Sequence, residues 1–336
     1  MNERIVISRL GGPEVLQRIE EPLPVPGPGE VRIRVEAAGV SFGDILQRRG
    51  LFFAGAPALP YTPGYDVAGT IDAVGIGVEG PKIGQNVIAL TMFGGYAKYI
   101  CVPVDLAVAV PAGLDPAELV ALTLNYTTAY QMLFRAAKVQ RGQSILVYGA
   151  SGGVGSAVLD LARDAGVRVA AAMSARWHET YRPLADLVFD ERDSSSSALL
   201  DSFQTRGFDV AFDSLGGGHL WRTRRRVARG GKLIAFGISG AVKPDGKNDG
   251  SQVLGLALLS LVSKIWNRPR FELYAIDQRI KTQRTEIHDD IRSLVGLLAE
   301  GRIHPRVGAK FPLSDASRAH ELLESRGNSG KIVLVP

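Results

Sequence analysis

One cysteine, Cys101, is all the thiol chemistry available to this chain of 336 residues. No disulfide can close within it, and no thiolate-rich metal cluster can be built. Histidine is scarce too. The five, His178, His219, His288, His304 and His320, show no paired metal-ligand spacing. Long apolar runs are missing: residues 253–266, the longest, include Ser260, Ser263 and Lys264 and fall short of a bilayer crossing. The start, Met-Asn-Glu-Arg-Ile, lacks the apolar core of a secretion signal, which makes a reducing cytoplasm the expected home. No block of one charge sign suggests a tail, and a net charge of +5 is too mild to indicate nucleic acid.

What is present is the composition of a globular protein. A 46% hydrophobic share with 22% charged residues can bury a sizeable core, and the length suggests two domains. Up to about residue 120 the chain reads as strands and turns. Val31, Ile33, Val35 and Ala37 alternate with Arg32, Arg34 and Glu36, after an extended connector carrying Pro22, Pro24, Pro26 and Pro28. Residues 66–74, 86–90 and 96–102 are further strands of an all-β unit, expected to form a small barrel. A helix is expected over 119–133. Beyond it strands (167–172, 187–189, 208–213, 232–236) alternate with helices (198–205, 219–228), which implies a parallel, doubly wound sheet. Past 270 a helical stripe of Ile287, Ile291, Leu294, Val295 and Leu298 precedes a strand at 306–311. A helix over 314–325, capped by Ser314, and a strand at 331–335 close the chain.

The most informative stretch is Ser-Ile-Leu-Val-Tyr-Gly-Ala-Ser-Gly-Gly-Val-Gly-Ser, residues 144–156. An apolar strand ends at Gly149, glycine returns at 152 and 155, and a helical stripe of Val154, Val158, Leu161, Ala162 and Ala165 follows. A strand feeding a helix through such a turn lets backbone approach a pyrophosphate, and the helix N-terminus offers it N–H groups and partial positive charge. Gly149, Ser151, Gly152, Gly153, Val154 and Gly155 are therefore assigned to a dinucleotide. The acid expected at the tip of the second strand, about 20 residues past the turn, is absent. That place reads Ala-Ala-Met-Ser-Ala-Arg, residues 171–176. Ser174 can hydrogen-bond and Arg176 can pair with a 2′-phosphate, so NADPH is expected over NADH.

Five motifs carry a resemblance that runs essentially end to end: Gly-Val-Ser-Phe-Gly-Asp (39–44), Pro-Gly-Tyr-Asp-Val-Ala-Gly (63–69), Asn-Tyr-Thr-Thr-Ala-Tyr (125–130), the glycine turn, and Gly330-Lys331. The chain resembles zinc-independent medium-chain dehydrogenase/reductases of the quinone oxidoreductase (zeta-crystallin) branch. Residues 125–130, 213–217 and 237 onward are most similar to the synaptic vesicle membrane protein group. The resemblance implies an α/β protein with a GroES-like β-barrel catalytic domain (1–122 and 270–336), a Rossmann domain (123–269) and a homodimer. Zinc-dependent relatives carry ligands where this chain has Ser41 or Phe42, Tyr65, and the neighbourhood of Asn125. These residues cannot supply the usual nitrogen and sulfur set.

The same resemblance implies roles at a cleft between the domains. Ser41 and Thr128 would lie by the nicotinamide, Phe236, Gly237 and Ile238 would pass its carboxamide, and Lys331 would reach the same place. Arg192 matches a second position near the 2′-phosphate, although Glu191 beside it is an acid where relatives carry an aromatic residue or histidine. Tyr65, Asp44 and Asn125 are the catalytic candidates. Tyr65 is the expected proton donor unless water serves, and Asp44 is expected to support a turn or the residues behind the site. Phe52 and Phe53 replace a segment where relatives often carry tyrosine, and suggest an apolar wall for a flat substrate. The expected activity is NADPH-dependent reduction of quinones or α,β-unsaturated carbonyls. The alternative is an NADPH-binding adaptor of weak turnover acting at membranes or on RNA. Residues 253–266 are read as a buried or pocket-covering helix, and Arg222, Arg225, Arg226 and Arg229 as one solvated helix face.

Overall fold

The computed structural model describes residues 1–52, 55–241 and 269–336, together with Leu258 and Leu261. Two compact units divide the chain, one of residues 1–127 and 277–336, the other of residues 128–276.

In the first unit, β1 (Asn2–Ile7) and β2 (Leu16–Glu21) form an antiparallel hairpin. The wet-faced strand is β3 (Glu30–Val40), with Val31, Ile33, Val35 and Ala37 buried. After it come helix α1 (Phe42–Arg48) and strands β4 (Asp66–Val74), β5 (Asn86–Leu90), β6 (Tyr99–Pro103) and β7 (Ala107–Ala109). Three of these match the expected strands, the third starting three residues late. Helix α1 was missed, because its seven residues are too few for a period to show.

Helix α2 (Pro116–Ala121) starts at a cap, the Asp115 carboxylate accepting the Ala117 N–H at 2.9 Å. The expected helix at 119–133 thus begins earlier. It then widens into π turns at Leu122–Tyr126 and Gln131–Ala137, which hydropathy periodicity does not reveal.

The second unit holds β8 (Ser144–Tyr148), α3 (Gly153–Asp164), β9 (Arg168–Ala172), β10 (Leu187–Phe189), α4 (Ser196–Phe203), β11 (Phe208–Asp213), α5 (His219–Arg226), β12 (Val227–Ala235) and β13 (Arg270–Leu273). The described strands pair in parallel in the order β10-β9-β8-β11-β12-β13, a doubly wound sheet with its switch point between β8 and β11. Helix α5 stops at Arg226, so Arg229 lies on β12 and does not share the arginine face expected of the helix. Apart from Leu258 and Leu261, residues 253–266 lie outside the described residues, as does Phe53.

The chain returns to the first unit through α6 (Arg284–Ala299), which buries Ile287, Ile291, Leu294 and Val295 as its stripe required. Then come β14 (Val307–Pro312), α7 (Ala316–Glu324) and β15 (Lys331–Val335). Ser314 does not cap α7: it sits in a 3-10 turn, Leu313–Asp315, and Asp315 takes the cap position without a side-chain bond. β15 pairs with β14 on one side and with Ala38–Val40 of β3 on the other. The first half of β3 pairs with β6 instead, and β4 runs along its opposite edge. These strands enclose a core that includes Ile5, Val31, Ile33, Ile71, Tyr96, Ile332 and Leu334.

Candidate active site

In the second unit, β8 is buried throughout and delivers the chain to the glycine turn. Gly149 has φ +72°, where a side chain is strained, and a Cβ there would stand 2.2 Å from Ser214 Oγ. A Cβ on Gly155 would stand 2.3 Å from the Gly149 carbonyl oxygen and 2.7 Å from Ala150 Cα. Gly152 is different. It is exposed, and a Cβ there would meet only the Gly149 oxygen, at 3.3 Å. It is also the N-cap of α3 and supplies no side-chain bond, so the first N–H groups of a 12-residue helix are left to a ligand or solvent. Packing thus excludes side chains beneath the turn, while its outer face and the helix start stay accessible.

The neighbouring strand ends complete this edge. Phe236 N–H donates to the Asp213 carbonyl (3.0 Å) and Ser239 N–H to that of Ser214 (3.0 Å), so Phe236, Gly237 and Ile238 run beside the loop after β11. At the β9 tip Ser174 is half-buried and Arg176 is exposed, its guanidinium 5.4 Å from the Trp177 ring centre. Asp190, beyond β10, accepts the Ala175 N–H of that tip at 3.3 Å. Arg192 holds the same carboxylate in a two-pronged contact of 2.6 and 2.9 Å, which keeps Asp190 far below the usual carboxylate range. The Thr128 hydroxyl, in the same unit, is buried with no hydrogen-bond partner among the described residues.

In the first unit, Ser41 caps α1 in a reciprocal box. Asp44 Oδ2 accepts the Ser41 N–H (2.8 Å), the Ser41 hydroxyl (2.8 Å) and the Tyr96 hydroxyl (3.3 Å). Its Oδ1 accepts the Gly64 N–H (2.9 Å). Burial pushes the Asp44 carboxyl up to about 6, against the pull of these donors and of the Lys331 charge. The network goes further than Asp44. Tyr96 Oη lies 2.9 Å from His320 Nε2, and Arg48 Nε, which can only donate, faces His320 Nδ1 at 3.4 Å. His320 is therefore neutral with its proton on Nε2, and burial beside Arg48 pushes its pKa down to about 3. Arg48 is anchored in turn by Glu324 and the Gly11 carbonyl. Asp44 thus ties Ser41 to the loop that carries Tyr65.

The Tyr65 ring meets Phe52 edge-on, with centres 6.1 Å apart, and Phe52 meets Phe93 likewise at 6.2 Å. Tyr61 packs on Phe93 at 5.8 Å, its buried hydroxyl without a partner among the described residues. Burial first, and then the Asp44 charge, drive the Tyr65 hydroxyl well above the usual phenol range. It can donate a hydrogen bond, but yielding the proton would leave a phenolate where one is disfavoured. Asn125 is buried in the first π turn. Nearby, the Asp66 carboxylate accepts the Leu124 N–H, and the Lys331 ammonium donates to both its oxygens, at 2.7 and 3.0 Å. Asp66, Tyr96, Arg48 and His320 escaped the sequence reading because their partners are far along the chain; Asp66 alone lay inside a quoted motif.

Among the described residues no group of three or more His, Cys, Asp or Glu is arranged to hold a metal, and no helix is long and apolar enough to cross a membrane. Residues 27–112 match the alcohol dehydrogenase GroES-like domain, and residues 185–334 match a model described as a zinc-binding dehydrogenase. Rat quinone oxidoreductase is 31% identical, with 98% of this chain and 97% of that protein covered. The mouse synaptic vesicle membrane protein VAT-1 homolog is 29% identical, over 99% of this chain and 83% of its own length. The Escherichia coli quinone oxidoreductase complexed with NADPH superposes with a TM-score of 0.87 at 28% identity, covering 99% of this chain and 100% of that one. A mycobacterial protein complexed with NADPH gives 0.85 at 27%, covering 100% of both chains. Built from a GroES-like unit and a parallel Rossmann-like sheet, the chain belongs to the medium-chain dehydrogenase/reductase family, with quinone oxidoreductases and VAT-1 homologues among its relatives.

Proposed function

We propose that this protein is an NADPH-dependent oxidoreductase that reduces quinones or α,β-unsaturated carbonyls without a metal ion. The observation that carries the reading is the glycine turn, closed to side chains beneath and opening onto the uncapped start of α3. That is the construction a diphosphate requires. Ser174 and Arg176 would hold the 2′-phosphate, and the unpartnered Thr128 hydroxyl would bond the nicotinamide side. NADPH in the two similar structures supports the choice.

Bound there, NADPH would supply the hydride; the protein's part is to orient and to exclude water. Phe52, Tyr61, Tyr65 and Phe93 furnish an apolar aromatic wall suited to a flat acceptor. The Tyr65 hydroxyl hydrogen-bonds and keeps its proton, so water protonates the product. Asp44 and Asp66 fix the loops and touch no reacting atom. Metal independence rests on chemistry: Ser41, Phe42 and Tyr65 are not the nitrogen and sulfur donors zinc selects.

The test is steady-state oxidation of NADPH and of NADH with 9,10-phenanthrenequinone and an enone panel, alongside metal analysis of the pure protein. Preferential NADPH turnover by metal-free protein is expected. Tight NADPH binding with no turnover would favour a second reading, an adaptor acting at membranes or on RNA; of these, the similarity to a synaptic vesicle membrane protein speaks for membranes alone. Failure to bind either coenzyme, or stoichiometric zinc, would end the first.

A further inference from the structure

The second unit contains a buried ionic cluster that the proposed chemistry does not use. Asp213, the last residue of β11, accepts four donors: the Leu215 N–H (2.8 Å), the Gly216 N–H (3.1 Å), the Thr223 hydroxyl (2.6 Å) and His219 Nδ1 (2.6 Å). His219, the first residue of α5, presents its other nitrogen, Nε2, to Glu191 Oε2 at 2.7 Å. The Tyr148 ring closes edge-on over the imidazole, with centres 4.3 Å apart. A carboxylate only accepts, and His219 faces one at each nitrogen, so both nitrogens carry protons. The ring is an imidazolium enclosed between two acids, 7% exposed.

This contact bears on coenzyme choice. Glu191 follows Asp190, whose carboxylate is hydrogen-bonded to the β9 tip at Ala175 and held by Arg192. An acid just past the end of β10 would repel a 2′-phosphate at the β9 tip. Neither acid is left uncompensated: Asp190 faces Arg192, and Glu191 is turned onto a buried cation. Resting on the NADPH reading above, we propose that His219 is a positioning residue for coenzyme specificity, which draws Glu191 away from the 2′-phosphate site and compensates its charge. The chain thereby accepts NADPH although it carries an acid at this place.

The test is equilibrium binding of NADPH and of NADH to wild type and variants, followed by coenzyme fluorescence and needing no turnover. His219→Asn keeps a donor for Asp213 and removes the cation from Glu191. The NADPH:NADH affinity ratio should fall at least fivefold, and adding Glu191→Gln should restore it. Should His219→Asn not fold, two surface variants carry the test. Glu191→Asp retains the charge on an arm one methylene shorter and should lower the ratio, whereas Glu191→Gln should not. An unchanged ratio in His219→Asn, an unrescued double variant, or equal ratios for Asp and Gln at 191 would overturn the inference. Wild type with no NADPH affinity would instead overturn the function on which it rests.

Discussion

The Lys331 ammonium lies 2.7 and 3.0 Å from the two carboxylate oxygens of Asp66, and both side chains are all but fully buried. The pair forms across the unit because Gly39 has no side chain: a Cβ there would stand 2.2 Å from Lys331 Cε and 2.3 Å from Asp66 Oδ1. The family resemblance assigns Lys331 to the coenzyme; in the structure its ammonium bonds Asp66. Lys331→Met would leave a buried carboxylate without its cation, at a cost of about 3–5 kcal/mol. Urea denaturation should show that loss, and Asp66→Asn combined with Lys331→Met should recover much of it. A Lys331→Met protein of wild-type stability that binds NADPH poorly would return the residue to the coenzyme.

The glycine turn separates folding from binding. Alanine at Gly155 would drive a methyl group into the Gly149 carbonyl and Ala150, backbone atoms that cannot move aside cheaply, so both Tm and coenzyme affinity should drop. At Gly152 the methyl meets a single atom at 3.3 Å on an exposed surface, so Gly152→Ala should melt near wild type. Bulkier Gly152→Val should also fold, yet lose most coenzyme affinity if the diphosphate lies over that face. Equal coenzyme affinity in wild type and Gly152→Val would remove the turn from the binding site.

How far the sequence could be read depends on the reach of each interaction. Strands β8, β10 and β11 and the stripes of α3 and α6 were legible because neighbours in sequence carry their periods. The strand–glycine–helix unit was legible for the same reason. The π turns around Asn125 were not, since widening a helix by one residue leaves its apolar composition unchanged. Nor was the chain of contacts from Asp44 through Tyr96 to His320. Tyr96 and His320 stand 224 residues apart, and only the closure of the first unit by the returning C-terminal segment brings them together. The family resemblance thus named Ser41 and Asp44, but neither it nor local pattern could show what holds them.

Thr128 offers a test free of folding effects. Its hydroxyl is buried and finds no partner among the described residues, a state that costs about 1–3 kcal/mol unless a ligand bonds it. Thr128→Val keeps the shape and removes the hydroxyl. Stability without coenzyme should hold or rise, while NADPH affinity should weaken roughly fivefold, about 1 kcal/mol. Unchanged affinity measured by fluorescence titration would place the nicotinamide elsewhere.

The His219 cluster predicts how stability should vary with pH. Hydrogen bonds and charges from Asp213 and Glu191 outweigh desolvation and raise the imidazole from 6.5 to about 9. A group whose folded pKa is raised stabilises fully below its unfolded pKa and loses that contribution as pH climbs through the folded one. The stabilisation should therefore be intact at pH 6, decline between about 6.5 and 9, and be gone above it. Its size is of order 3 kcal/mol at 1.36 kcal/mol per unit. Asp213, held below its ordinary range by the same contact, is part of that figure and is not an addition to it. Urea midpoints measured from pH 6 to 10 should fall across this window in wild type and stay nearly level in His219→Asn, where no imidazole remains to lose its proton. Parallel curves for the two proteins would show that His219 is neutral in the folded state, and with that the charge compensation of Glu191 would go.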